Sequence, residues 1–149
     1  MAKWLTADEQ RVWRSYLRAT RLVDVALDAQ LQADAGMPHA YYEILVRLSE
    51  SAQRRSRMAE LAAATHSSPS RLSHAVARLE ERGWVRREPC PSDRRGQLAV
   101  LTDEGFAALA AAAPGHVARV RSAIIDVLTP DQLGELGAIC DKISATLET

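Results

Sequence analysis

Between Thr6 and Ala35 the chain contains no glycine and no proline. Its apolar side chains return every three or four residues, at Val12, Trp13, Tyr16, Leu17, Val23, Leu27 and Leu31, with Thr20 in the same series. That spacing specifies one helix. Thr6-Ala7-Asp8-Glu9 opens it as a capping box, in which the Thr6 hydroxyl and the Glu9 carboxylate each satisfy a free backbone N–H, and Gly36 and Pro38 close it. At 1.5 Å of rise per residue the helix is roughly 40 Å long. One small core cannot cover that length, so much of its apolar stripe must be buried against something else.

The remaining punctuation predicts a defined order of elements. A second helix should run from about Pro38 to Ser49 and bury Tyr42, Leu45 and Leu48. Met58, Leu61 and Ala62 mark a short third helix ending near Thr65-His66-Ser67. A fourth starts behind Ser67 or Ser68 with Pro69 in its first turn, where the missing N–H is harmless, turns Leu72, Ala75, Val76 and Leu79 inward, and stops at Gly83. Two helices joined by about four residues form a helix-turn-helix. Trp84–Glu88 and Gln97–Leu101 then favour strands, joined by a long basic loop whose tip is Pro91-Ser92-Asp93-Arg94-Arg95-Gly96. Thr102-Asp103-Glu104 caps a helix through Leu109, expected to bend at Pro114-Gly115 and continue through Val117, Val120, Ile124 and Leu128. Thr129-Pro130-Asp131-Gln132 caps the last helix, with Leu133, Leu136, Ile139, Cys140, Ile143 and Leu147 at core spacing. The fold class expected is mainly α with a small β-hairpin wing, a winged helix-turn-helix in one domain spanning residues 1–149. Residues 1–35 and 103–149 are expected to be helical dimerisation arms around a DNA-binding module at 38–102. The apolar surface of the first and last helices, too large for the central module to cover, supports pairing of two copies.

The formal net charge is zero, so only its distribution is informative. Residues 54–95 hold ten Arg against five Asp and Glu, a local excess of +5, and the flanking arms carry the balancing −5. A basic centre between acidic arms is the footprint of a protein whose middle meets phosphates. With Leu72, Val76 and Leu79 inward, the fourth helix turns Ser70, Arg71, Ser73, His74, Ala77 and Arg78 outward, uninterrupted by acid until Glu80. Arg can bond bidentately to guanine, Ser and His reach base edges or phosphates, and a small Ala allows close approach in a major groove. The helix start near Ser68 would present backbone N–H groups to a phosphate. Arg94 and Arg95 at the hairpin tip suit a minor groove, with Asp93 holding the loop in shape by accepting bonds from its N–H groups. Arg54, Arg55, Arg57, Arg86 and Arg87 are the expected phosphate contacts.

Leu79-Glu80-Glu81-Arg82-Gly83-Trp84-Val85, then Asp93-Arg94-Arg95-Gly96, then Leu101-Thr102-Asp103-Glu104-Gly105 together resemble the MarR (multiple antibiotic resistance regulator) family, and the similarity extends over essentially the whole chain. The wing element in front of Leu-Thr-x-x-Gly is the distinctive part. The resemblance implies a dimeric winged-helix regulator, most often a repressor, of a kind that in many cases releases DNA on binding a small aromatic or lipophilic compound. It implies Arg95 as the minor-groove side chain and Asp93 as its organiser. It also places an effector pocket between the arms and the DNA-reading module, for which Trp13, Tyr16, His39, Tyr41 and Tyr42 are candidates; aromatic residues at helical spacing equally suit a core.

Other chemistries find little support. Cys90 and Cys140 are too few for a disulfide framework, no signal-like or membrane-length apolar run is present, and a cytoplasmic protein is expected. Cys90 lies beside the wing, where nearby Arg87 could lower its pKa. The peroxide-sensing members of the resembled family carry their cysteine in the first helix, which here has none, and Cys140 is expected in a dimer core. His39, His66, His74 and His116 are scattered, so no metal site or cofactor is expected, and no catalytic motif of an enzyme is present. The partners expected are a pseudo-palindromic duplex, a second copy and a small effector. Two other functions use the same features: an architectural DNA-binding protein without effector, and a winged helix that binds protein.

Overall fold

The computed structural model describes residues 1–148, and its elements follow the expected order. Helix α1 spans Ala7–Ala35, and both halves of its capping box are present, with Glu9 N donating to Thr6 Oγ1 at 3.2 Å and Thr6 N to Glu9 Oε2 at 2.7 Å. Helix α2 covers His39–Glu50 and starts behind Pro38, which offers no side-chain cap. The cap comes from α1 instead: Asp28 Oδ1 accepts from His39 N at 2.9 Å, placing a carboxylate at the positive end of α2. Only the C-terminal part of α1 is packed, through Leu27 and Leu31, whereas Val12, Trp13 and Tyr16 lie exposed.

After a short turn comes a strand with no sequence signal, β1 at Arg55–Arg57. Helices α3 (Met58–Ala64) and α4 (Pro69–Glu81) follow, then β2 (Val85–Cys90) and β3 (Asp93–Leu101). The sheet order is β1-β3-β2, antiparallel throughout. Residues of α1, α2, α3 and α4 meet in one core whose fully buried members include Leu31, Leu45, Leu48, Leu61, Leu72 and Leu79. The sheet adds Val85, Ala99 and Leu101 to this core.

Two glycines fix the seam between wing and arm. Gly83 has φ +75°, which ends α4 in a left-handed turn. Gly105 lies so close to the Trp84 carbonyl that a Cβ would overlap its oxygen. Thr102 closes the seam: its hydroxyl donates to Gly83 O at 2.7 Å and accepts from Gly105 N at 3.0 Å. The Leu-Thr-x-x-Gly run thus joins the base of the wing to α5.

Helix α5 spans Asp103–Val120, with Pro114 inside it. The regular helix does not reach Leu128 as expected. It gives way at Arg121–Ile125 to a single wide turn of π type, and α6 begins afresh at Pro130–Leu147 behind Thr129 and Gln132, a second complete capping box. No residue of α6 is buried within the chain. Ile139 is 56% exposed, and Cys140, expected in a dimer core, is exposed in the single chain as well. None of the helices is long and apolar enough to cross a membrane among the described residues.

Candidate nucleic-acid interface

Helix α4 is built as its sequence dictates. Ser68 Oγ accepts from Arg71 N at 3.2 Å, so this hydroxyl caps α4, and Leu72, Val76 and Leu79 anchor the inner face. Ser70, Arg71, His74 and Arg78 are exposed, whereas Ser73 is half-buried. Arg78 pairs with Glu81 at 3.2 Å. The side chains of Arg71 and His74 have no hydrogen-bond partner among the described residues, leaving their polar edges available to a ligand.

The wing departs from the expected long loop. Its turn is only Pro91-Ser92, and β3 already begins at Asp93. The pairing jumps from Pro89↔Gln97 to Cys90↔Asp93, so Arg94, Arg95 and Gly96 have no partners across the ladder. They form a bulge on β3, a device that locally re-aims side chains. Asp93 Oδ1 accepts from Arg95 N at 3.0 Å, which pins the bulge from within. Arg94 and Arg95 are exposed at the tip. Asp93–Gln97 and the Pro69, Leu72 and Ser73 end of α4 line one groove, so wing tip and α4 face a common space.

The five arginines predicted to touch phosphates all have partners within the chain. Arg54 reaches Asp103 at 3.3 Å and lies 4.0 Å over the Phe106 ring. Arg55 and Arg86 share Glu88, at 3.4 and 2.9 Å. Arg57 donates to Ser92 Oγ at 2.7 Å, supporting the wing turn. Arg87 is the least exposed of those in ion pairs, at 23% of its side chain, and is turned onto α4: it donates to Ser73 O at 2.7 Å and Ser73 Oγ at 3.3 Å, and its Nε, buried and without a hydrogen bond, lies 2.8 Å from Glu80 as an ion pair. Cys90 is buried under the wing. Its thiol is held below its ordinary pKa, first by hydrogen bonding with Ser92 and further by the Arg57 charge, with burial opposing. Arg87, the neighbour expected to do this, is turned towards α4.

The candidate effector residues divide into two places. Trp13 and Tyr16 stack on each other, ring centroids 5.9 Å apart, on the exposed half of α1. His39 and Tyr42 instead gather around His116 of α5, at 5.3 and 4.3 Å between centroids. His39 is tied to Asp28, about four helical turns or roughly 20 Å along α1 from Trp13, so one chain cannot join the two groups into one pocket. His116, the centre of the second group, carries no periodic signal in the sequence. Its Nδ1 is 3.3 Å from Gln30 Oε1, and Gln30 uses its amide nitrogen on Asp34. Nδ1 is therefore the donor, which leaves Nε2 as a bare acceptor. Burial, then the neighbouring His39, lower the His116 pKa, with Glu43 opposing; burial raises that of Tyr42. No cluster of three or more His, Cys, Asp or Glu is placed to hold a metal among the described residues.

Comparison with known proteins places these features. The MarR family model matches residues 35–96, from the end of α1 through the wing tip. Sco3205 of Streptomyces coelicolor, a MarR family transcriptional regulator solved in complex with DNA, is 58% identical, and the match covers 100% of this chain and 93% of that one with a TM-score of 0.97. This chain belongs to the MarR family. AbsC, a MarR family transcriptional regulator of the same organism, is 47% identical over 98% of each chain, with a TM-score of 0.93. Among curated relatives, the HTH-type transcriptional regulator PecS of Dickeya dadantii is 43% identical over 61 residues, 41% of this chain and about a third of the relative's own length. As a MarR-family winged helix the chain is a DNA-binding transcriptional regulator and not an enzyme.

Proposed function

We propose that the protein is a homodimeric, sequence-specific repressor that a small aromatic or lipophilic ligand releases from a pseudo-palindromic operator. The observation that carries this reading is the shared groove between the free face of α4 and the bulged wing tip. Arg71, His74, Arg78 and Ser70 would meet base edges in the major groove. Ser73 would stand at its margin, and the helix start at Ser68 would receive a phosphate. Arg95, with Arg94 beside it, would enter the minor groove while Asp93 keeps the bulge in shape. Arg54, Arg55, Arg57 and Arg86 would strengthen binding through phosphates without reading sequence.

Pairing is supported by what the single chain leaves open. All of α6, and the part of α1 bearing Val12, Trp13 and Tyr16, present apolar side chains to solvent. An isologous contact between such arms would set two reading helices about 34 Å apart on successive major grooves. Residues 38–102 would then be the reading module and residues 1–35 and 103–149 the dimerisation arms. The His39, Tyr42 and His116 cluster at the meeting of α1, α2 and α5 is the place for an effector, since a ligand there could favour one arm angle over another. Trp13 and Tyr16 could join such a site only from a second protomer.

Selection of bound duplexes from a random pool, followed by a salt titration, tests the DNA reading. A steep loss of affinity with salt is expected. Arg95→Ala should weaken binding strongly with the dimer intact, and Arg71→Ala or His74→Ala should relax base preference. Unchanged binding by all three would refute this docking. A compound that raises the melting temperature and weakens operator binding identifies an effector; a complete ligand screen without one would favour the effector-free architectural role.

A further inference from the structure

Arg87 belongs to the wing by sequence, but its guanidinium lies against the reading helix. It starts on β2, opposite Ala99 of β3, and crosses to α4, where it meets Ser73 and Glu80. These two residues are seven apart, on nearly the same side of a helix. The Ser73 carbonyl points towards the C-terminus and the Glu80 side chain leans back towards the N-terminus, so both converge on one level of the helix. Both lie on the flank of α4, between the buried row of Leu72, Val76 and Leu79 and the outward row of Arg71, His74 and Arg78.

We infer that Arg87 is a positioning residue for operator reading: it clasps α4 to the wing and sets the angle between the two parts that meet DNA, rather than contacting a phosphate. The guanidinium grips the helix flank at two residues, hydrogen-bonding twice to Ser73 through its terminal nitrogens and pairing by charge with Glu80, and a two-point clasp of this kind resists rolling of α4 about its own axis in a way one apolar contact cannot. A small roll would move Arg71 and His74 off their base edges while Arg95 stayed in place. Glu80 is the diagnostic partner. It is acidic and close to the proposed interface, so charge alone predicts that removing it tightens DNA binding. The clasp predicts the opposite for specific DNA, because Arg87 would then keep only its Ser73 contacts.

This rests on the DNA-reading role proposed above, and the experiment separates the two. The probes are a duplex enriched by the wild-type protein from a randomised pool and a scrambled duplex of equal composition. Each is titrated by fluorescence anisotropy over a range of salt with wild type, Glu80→Ala, Glu80→Gln and Arg87→Gln. Glu80→Ala and Arg87→Gln should each lose about tenfold of the preference for the enriched duplex, and the slope of log affinity against log salt should stay as in wild type. Glu80→Gln, which keeps an acceptor at the same reach, should retain most of the preference. Glu80 is partly exposed and outside the core, so its variants test the idea even if Arg87→Gln folds poorly. A slope reduced by about one in Arg87→Gln, with Glu80→Ala binding both duplexes more tightly, would make Arg87 a phosphate contact and overturn the inference. A wild type that prefers neither duplex would overturn the DNA-reading role and the inference with it.

Discussion

Asp93 offers the sharpest test of how the wing works, because two opposing effects meet in one side chain. Its carboxylate carries a negative charge beside the two arginines proposed to enter DNA, and it holds the bulge through the 3.0 Å bond from Arg95 N. A hydrogen bond to a charged acceptor contributes about 1.5–3 kcal/mol; halving this for an exposed site leaves about 1 kcal/mol. Repulsion from a phosphate roughly 8 Å away is about 0.5 kcal/mol in water, and less again after screening near physiological salt. The bond therefore outweighs the charge. Net of the repulsion it also removes, Asp93→Ala should cost about 0.8 kcal/mol and weaken operator binding about fourfold per wing, or about 15-fold if two wings act additively. Asp93→Asn, which keeps an acceptor and removes the charge, should bind as well as the parent or slightly better. Anisotropy titrations of both variants on the same operator decide the matter. Asp93→Ala binding as tightly as Asp93→Asn would refute the ordering of these effects and the organising role of Asp93.

Three further outcomes are expected. His116 has a folded-state pKa below its ordinary value, so the unfolded chain binds more protons as pH falls through about 6.5. Melting temperature should therefore drop on acidification below that point and level off once the folded-state pKa is passed, and His116→Gln should flatten the dependence. Gly105→Ala places a methyl against the Trp84 carbonyl and the Leu101 side chain; a loss of about 3 kcal/mol should lower the melting temperature by roughly 6–12 °C in calorimetry. Ile139→Asp puts a charge on the exposed apolar face of α6, and sedimentation should show a shift from dimer to monomer; a variant that sediments as the parent would exclude this face from pairing.

What could be read in the sequence was whatever is encoded locally. Helix starts announce themselves through Thr6 with Glu9, Ser68 with Pro69, and Thr129 with Gln132, because each set satisfies its own backbone donors. Gly105 carries a family signal because close approach to Trp84 leaves no room for any other residue. The features that escaped depend on distant partners. Arg55-Ser56-Arg57 has no strand pattern and becomes β1 only by pairing with Val100, Ala99 and Leu98. The basic loop is a bulged strand because Cys90 pairs with Asp93, a choice of register that composition does not express. Arg87 counts as one more positive charge until the fold brings Ser73 and Glu80 to it. His116 looks like a stray histidine until α1 and α2 close around it.

The cap that Asp28 places on α2 has a consequence for any attempt to isolate the reading head. A fragment beginning at Pro38 would lose that carboxylate, the fully buried Leu31 and the equally buried Met37 in a single cut. Its core would be open on the side where the arm had been, and α2 would begin with bare amides. The head is thus not an excisable cassette, and a chimera that joins it to a foreign arm must bring the last two turns of α1 with it.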